Sequence, residues 1–269
     1  KIIPQQTIVI HKDRIMAIGQ TNAKHKKYTS KLIIDGTGKF IMPSLWDMHV
    51  HFGGDTLIGE NKLLLPLYTA MGISHVRDCA GDISDSVIAW KKAIQKNKLQ
   101  GPSIFTSGPK LEGINSIWPG DLEIGDEFGL SKALDSLQKL QVDFVKITDN
   151  TLEPNLFLKS IQAARKRGWQ VTGHIPATMT VKTYANAGLS AIEHIGYLQR
   201  AASDKEDSIT QLRASGKINN KEAAVLYLNT FNQEVAIEKF KKLAANGIKI
   251  IALRCAGFNN VAIAEAAAN

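Results

Sequence analysis

Phe40-Ile41-Met42-Pro43-Ser44-Leu45-Trp46-Asp47-Met48-His49-Val50-His51 is an apolar run that closes on two histidines one residue apart. Side chains along a strand alternate, so positions i and i+2 share a face, and both imidazoles of a strand ending here face one point. Histidine at the rim of a buried core is a good zinc ligand, although a lone His-x-His also fits surface or satisfied histidines. From Phe40 onward, short apolar segments alternate with amphipathic ones, the pattern of a parallel βα protein. The strand candidates are 40–50, 73–78, 103–107, 143–148, 169–174, 189–194 and 248–253. Between them, 84–97, 131–141 and 154–167 read as helices, the last with Pro154 early and Gly168 as its stop. Helical spacing also runs through 220–246 and ends at Gly247.

This set is one strand short of an eight-stranded βα barrel, and residues 41–269 fall below the roughly 250 that such a barrel takes. An open doubly wound sheet also holds parallel strands, yet no Gly-rich phosphate loop follows the first one. The expected fold is α/β, a (β/α)8 TIM-like barrel over 41–269, incomplete at its C-terminal end. Residues 1–40 read differently. Thr7–Ile10 and the segment through Gly19 form two β-branched strands about a polar turn, and Lys31–Ile34 forms a third that enters Asp35-Gly36-Thr37-Gly38. That unit is too small to fold alone and is expected to be the N-terminal portion of a β-sandwich.

Composition excludes several classes. A chain of 269 residues with 44% apolar and 22% charged residues buries a core without staples, unlike a knottin or an isolated zinc finger. The net charge of +8 raises the question of nucleic acid. The basic residues lie in short runs (His25-Lys26-Lys27, Lys91-Lys92, Arg165-Lys166-Arg167) on polar helix faces, with no nucleic-acid-binding motif around them. No apolar stretch approaches a membrane span, and 1–20 lack the apolar core of a signal peptide. The chain starts at Lys1 rather than Met, so an upstream segment is expected to have been removed or omitted. Two cysteines, Cys79 and Cys255, rule out a disulfide framework and leave cytoplasm and bacterial periplasm both open.

The later strand ends carry the chemistry. Phe144-Val145-Lys146-Ile147, Val171-Thr172-Gly173-His174 and Ile192-Glu193-His194-Ile195 put a lysine and two histidines at positions equivalent to His49 and His51. In a parallel barrel, C-terminal strand ends form the active-site face, so these five side chains ring one cavity.

The run Ile34–His51 strongly resembles the metal-dependent amidohydrolase superfamily, in particular its imidazolonepropionase-like and Xaa-Pro dipeptidase-like branch. Gly72–Asp78, Gly101–Pro109, Asp143–Ile147, Gly173-His174-Ile175-Pro176 and Ile192–Ile195 resemble its motifs in the same order. The resemblance implies a barrel with a β-sandwich built from both chain ends and two divalent ions, most often zinc. It implies that His49 and His51 hold one ion, that His174 and His194 hold the other, and that Lys146 bridges them as a CO2-derived carbamate. A plain ammonium there would repel both ions. Two zinc ions acidify a shared water and polarise a carbonyl, which implies hydrolysis of an amide or peptide C–N bond in a dipeptide or N-acyl amino acid. The expected partner is thus a small molecule or dipeptide, with neither nucleic acid nor membrane, and a homo-oligomer remains open.

The sequence departs from this pattern at the last strand. The family's Gly-Thr-Asp is replaced by Leu253-Arg254, and no aspartate follows Asp207. An arginine beside two dications is unfavourable, so Arg254 is no substitute and the catalytic acid is unassigned. Missing sequence is the favoured explanation. The alternative is a truncated or inactive amidohydrolase-fold protein acting as a binding module. Three further residues are candidate substrate contacts: Arg77, against an internal ion pair; Trp118, in a possible lid, against loop packing; and Tyr197, just beyond His194. His75 reads as a packed histidine.

Overall fold

The computed structural model describes residues 2–21, 28–79, 81–248 and 250–252. The chain divides into two compact units, 1–43 and 44–269. In the first, β1 (Gln6–His11) and β2 (Arg14–Gln20) pair antiparallel about Lys12-Asp13. The expected third strand, Lys31–Ile34, is not a strand, and Leu32, Ile33 and Ile34 are exposed. Branched side chains favour a pleated, half-buried surface, but without a neighbouring strand they do not create one.

The second unit begins with β3 (Leu45–Val50), α1 (Ile58–Ala70), β4 (Ile73–Asp78), α2 (Ser84–Gln95) and β5 (Ser103–Thr106). There follow β6 (Leu111–Glu112), β7 (Leu122–Glu123), α3 (Glu127–Leu140), β8 (Val145–Ile147), α4 (Pro154–Lys166), β9 (Val171–Gly173), α5 (Val181–Asn186) and β10 (Ala191–Glu193). The remainder is α6 (Ile195–Ala201), α7 (Glu206–Ala214), α8 (Asn220–Asn229), α9 (Gln233–Ala245) and β11 (Ile250–Ala252). Each strand expected between 40 and 253 has a counterpart, and β4 matches its expected bounds. Helix starts follow their caps. α3 begins four residues before the expected 131 because the Asp126 carboxylate accepts from Gly129 N. The expected 220–246 helix is two, because Asn232 accepts from Val235 N and starts α9 afresh.

The parallel strands lie in two sheets, ordered β3-β4-β5 and β11-β10-β9-β8-β6-β7. Asp143 N donates to Thr106 O at 2.9 Å, joining the end of β5 to the approach to β8. Among the described residues the second unit is thus a mixed α/β fold built on parallel sheets. One core packs Leu134, Leu137, Phe157 and Ile161 of α3 and α4 against Val145, Ile147, Val171 and Ile192. A second packs Val50, Phe52, Leu65, Val76, Trp90 and Ile104 around the smaller sheet. No helix among the described residues is long and apolar enough to cross a membrane.

Candidate metal centre

Strand register decides which side chains meet. Lys146 is paired with Thr172, and Thr172 with Ala191, across three adjacent parallel strands, so these positions share a face. Two residues beyond Ala191, Glu193 lies on that face as well. Alternation would send the next residue, His194, to the other side. Its backbone instead adopts φ 118° and ψ 131°, a region non-glycine residues seldom occupy, and the imidazole turns back toward His174.

Four imidazoles gather as two pairs. His49 Nε2 lies 3.0 Å from His51 Nε2, and His194 Nε2 lies 3.1 Å from His174 Nε2. The His49 and His194 rings are 5.1 Å apart between centroids. Lys146 is 1% exposed, and its Nζ has no hydrogen-bond partner among the described residues. Burial, together with the nearby His174, Lys146 and His49, presses His194 down to about 3. Burial also lowers His174 against the opposing pull of Asp149, whose Oδ1 lies 3.3 Å from His174 Nδ1. Burial likewise lowers the Lys146 amine, opposed mainly by Glu193. Neutral imidazole is the form in which histidine binds metal, and His174 and His194 are both shifted toward it. A buried amine pushed toward its neutral form is able to take up CO2 and present an anionic oxygen to metal ions. These residues thus fit the implied metal pair.

The same face carries a cluster that sequence reasoning missed. Glu193, fully buried, accepts from His49 Nδ1 at 2.6 Å and from Arg77 Nη1 at 2.7 Å, and Thr172 Oγ1 also donates to it. Burial alone would raise this carboxyl, but the His49 hydrogen bond, the charges of Lys146 and Arg77, and Thr172 hold it below the usual carboxylate range. The available signal was an acid enclosed in an apolar strand, a place acids rarely occupy unpaired. Cys79 also brings its sulfur close to His49 and Glu193. Burial pushes this thiol up to about 12, so it stays protonated.

The other sequence candidates are placed as follows. Arg77 is buried, paired with Glu193 and set over the Phe144 ring at 4.2 Å, so its guanidinium faces the interior. Arg77 thus takes part in an internal ion pair. Tyr197 lies 6.2 Å from the His174 ring and lines an open cleft of ≈ 740 Å³ with His174, Asp149, Thr178 and Arg213. Trp118 is exposed with Lys110 Nζ 5.7 Å from its ring, and it is its neighbour Ile117 that reaches the cleft. His75 stacks on Trp46 at 4.3 Å. Arg254, Cys255 and the run His25-Lys26-Lys27 lie outside the described residues.

No family model and no curated protein matches the chain. Among solved structures it is similar to A. niger ochratoxinase, with TM-score 0.59 and 16% identity over 92% of this chain and 71% of that one. A Xaa-Pro dipeptidase with bound methionine in the active site aligns at TM-score 0.55 and 18% identity, over 91% and 73% of the two chains. Molinate hydrolase aligns at TM-score 0.54 and 15% identity, over 98% and 71%. Others in this group carry the name amidohydrolase. At such identities the likeness speaks for architecture, and the chain has the fold of these amidohydrolase-type structures.

Proposed function

We propose that this chain is the barrel-bearing part of a metal-dependent amidohydrolase that cleaves the C–N bond of a dipeptide or N-acyl amino acid. The observation that carries the reading is the pair of Nε2–Nε2 approaches, 3.0 and 3.1 Å, beside a buried amine with no hydrogen-bond partner among the described residues. In this reading His49 and His51 hold one ion and His174 and His194 the other, with Lys146 between them. When bound, the ions supply carbonyl polarisation and water activation. Lys146 is suited to its role because burial shifts its amine toward the neutral form, which adds to CO2 with a new N–C bond and release of one proton. Asp149 holds His174 through Nδ1 and leaves Nε2 directed inward. Tyr197 offers its phenol to a substrate lying in the cleft. The neighbours' names, among them a prolidase complexed with n-methylphosphonate-l-proline, support a small amide or peptide substrate.

The test is metal content per chain after purification without chelator, together with intact mass before and after acid. About two zinc ions per chain and an acid-labile mass equal to CO2 are expected. An unmodified Lys146 and no metal would leave the fold as a binding module and remove the hydrolase reading.

A further inference from the structure

Glu193 occupies a position that its own motif does not explain. Its two carboxylate oxygens meet three donors: His49 Nδ1 at 2.6 Å on Oε2, and Arg77 Nη1 at 2.7 Å with Thr172 Oγ1 on Oε1. Arg77 is itself held, donating also to Met48 O at 3.2 Å and lying on the Phe144 ring. The side chains of His49, Arg77 and Glu193 are 5%, 7% and 0% exposed, so water does not compete for these bonds. A guanidinium already balances the carboxylate charge, and the imidazole need contribute only an N–H. With Nδ1 donating, the lone pair of a neutral His49 sits on Nε2, the atom directed at His51.

We propose that Glu193, anchored by Arg77, is a positioning residue that fixes His49 in its Nδ1–H tautomer and so presents Nε2 to a metal ion. The role rests on the reading of His49 and His51 as metal ligands. It also assigns the two histidine pairs different supports, because Asp149 contacts His174 at 3.3 Å in a half-open setting.

The substitution Glu193→Gln tests it, because an amide facing three donors must turn its own N–H2 toward one of them. If Arg77 keeps the amide oxygen, the N–H2 meets His49 Nδ1 and drives the proton to Nε2. Long-range 1H–15N correlation on histidine-labelled, metal-free protein reads the tautomer directly, and competition with a chromophoric chelator reads zinc affinity. Wild type is expected to show Nδ1–H at His49. E193Q is expected to show Nε2–H and to bind zinc about 10–100-fold more weakly at one site. Removing the competing donor in R77M/E193Q is expected to restore Nδ1–H and part of the affinity, an outcome that a merely structural lesion does not give. An Nε2–H tautomer in wild type, which needs no variant to fold, overturns the proposal. So does equal zinc binding by wild type and E193Q, with the metal reading left standing. A wild-type chain that takes up no zinc overturns the metal reading itself.

Discussion

Lys146 is a long side chain whose amine is sealed in the core with no hydrogen-bond partner among the described residues, so its desolvation is not repaid there. Lys146→Met keeps the length and apolar stem while deleting the group that must be desolvated. The metal-free variant is expected to gain about 1–3 kcal/mol in urea unfolding and to lose metal retention. A destabilised K146M would mean that the amine makes a favourable contact after all. At this scale, five candidate residues were legible because each closes a short apolar segment, where the sequence reading looks for chemistry. Glu193 was not, since alternation allows one of two consecutive residues to face inward and His194 had already been given that place. The φ of 118° at His194 lets both reach the centre, and nothing in the residue types announces it. Arg77 was legible as a charge of interest, while its direction was set by a strand too distant in sequence to be read locally.

Among the elements, strands flanked by turn signals could be read from the chain, whereas those made by tertiary pairing could not. β6 and β7 are two residues each, shorter than any periodicity. α1 places Leu63, Leu64, Leu65 and Leu67 around its circumference and contains Pro66, so no apolar stripe marks it. The loop between β8 and α4 depends on a group 38 residues or more away, the buried carboxylate of Glu112. It accepts from the backbone N–H of Asn150, Thr151 and Leu152, from Asn150 Nδ2 and from Gly113 N. Glu112→Gln replaces one acceptor with a donor that faces donors. It is expected to cost about 2–4 kcal/mol and to speed amide hydrogen exchange at 150–152 beyond the global change. Uniform exchange across the chain would show that the loop is held by other means. Asp149 belongs to this loop, so its contact with His174 should weaken in the same variant.

Across the larger unit, stability should carry the mark of a single carboxyl. Asp78 is fully buried, accepts from Phe52 N at 3.2 Å and Thr106 Oγ1 at 2.7 Å, and ties the ends of β3, β4 and β5 together. Burial pushes it up to about 6, against the lowering effect of those hydrogen bonds and of Lys110. Between about pH 4 and 6 the folded chain therefore holds a proton that the unfolded chain has released. More protons bound in the native state means that stability falls as pH rises through this window. The metal-free wild type is expected to lose about 2–3 kcal/mol relative to Asp78→Asn between pH 4 and 7. Parallel urea curves for the two proteins across that range would refute the assignment.

The buried cluster at Glu193 also bears on the order of folding. His49 and Glu193 are 144 residues apart and Arg77 and Glu193 are 116 apart, so their bonds close nearly the largest loops the described chain contains. Loop-closure entropy must be met before such contacts contribute, which places them after the local βα pairings have formed. The histidine centre then assembles last, and a chain emerging from synthesis has no ligand geometry until β9 and β10 have been made.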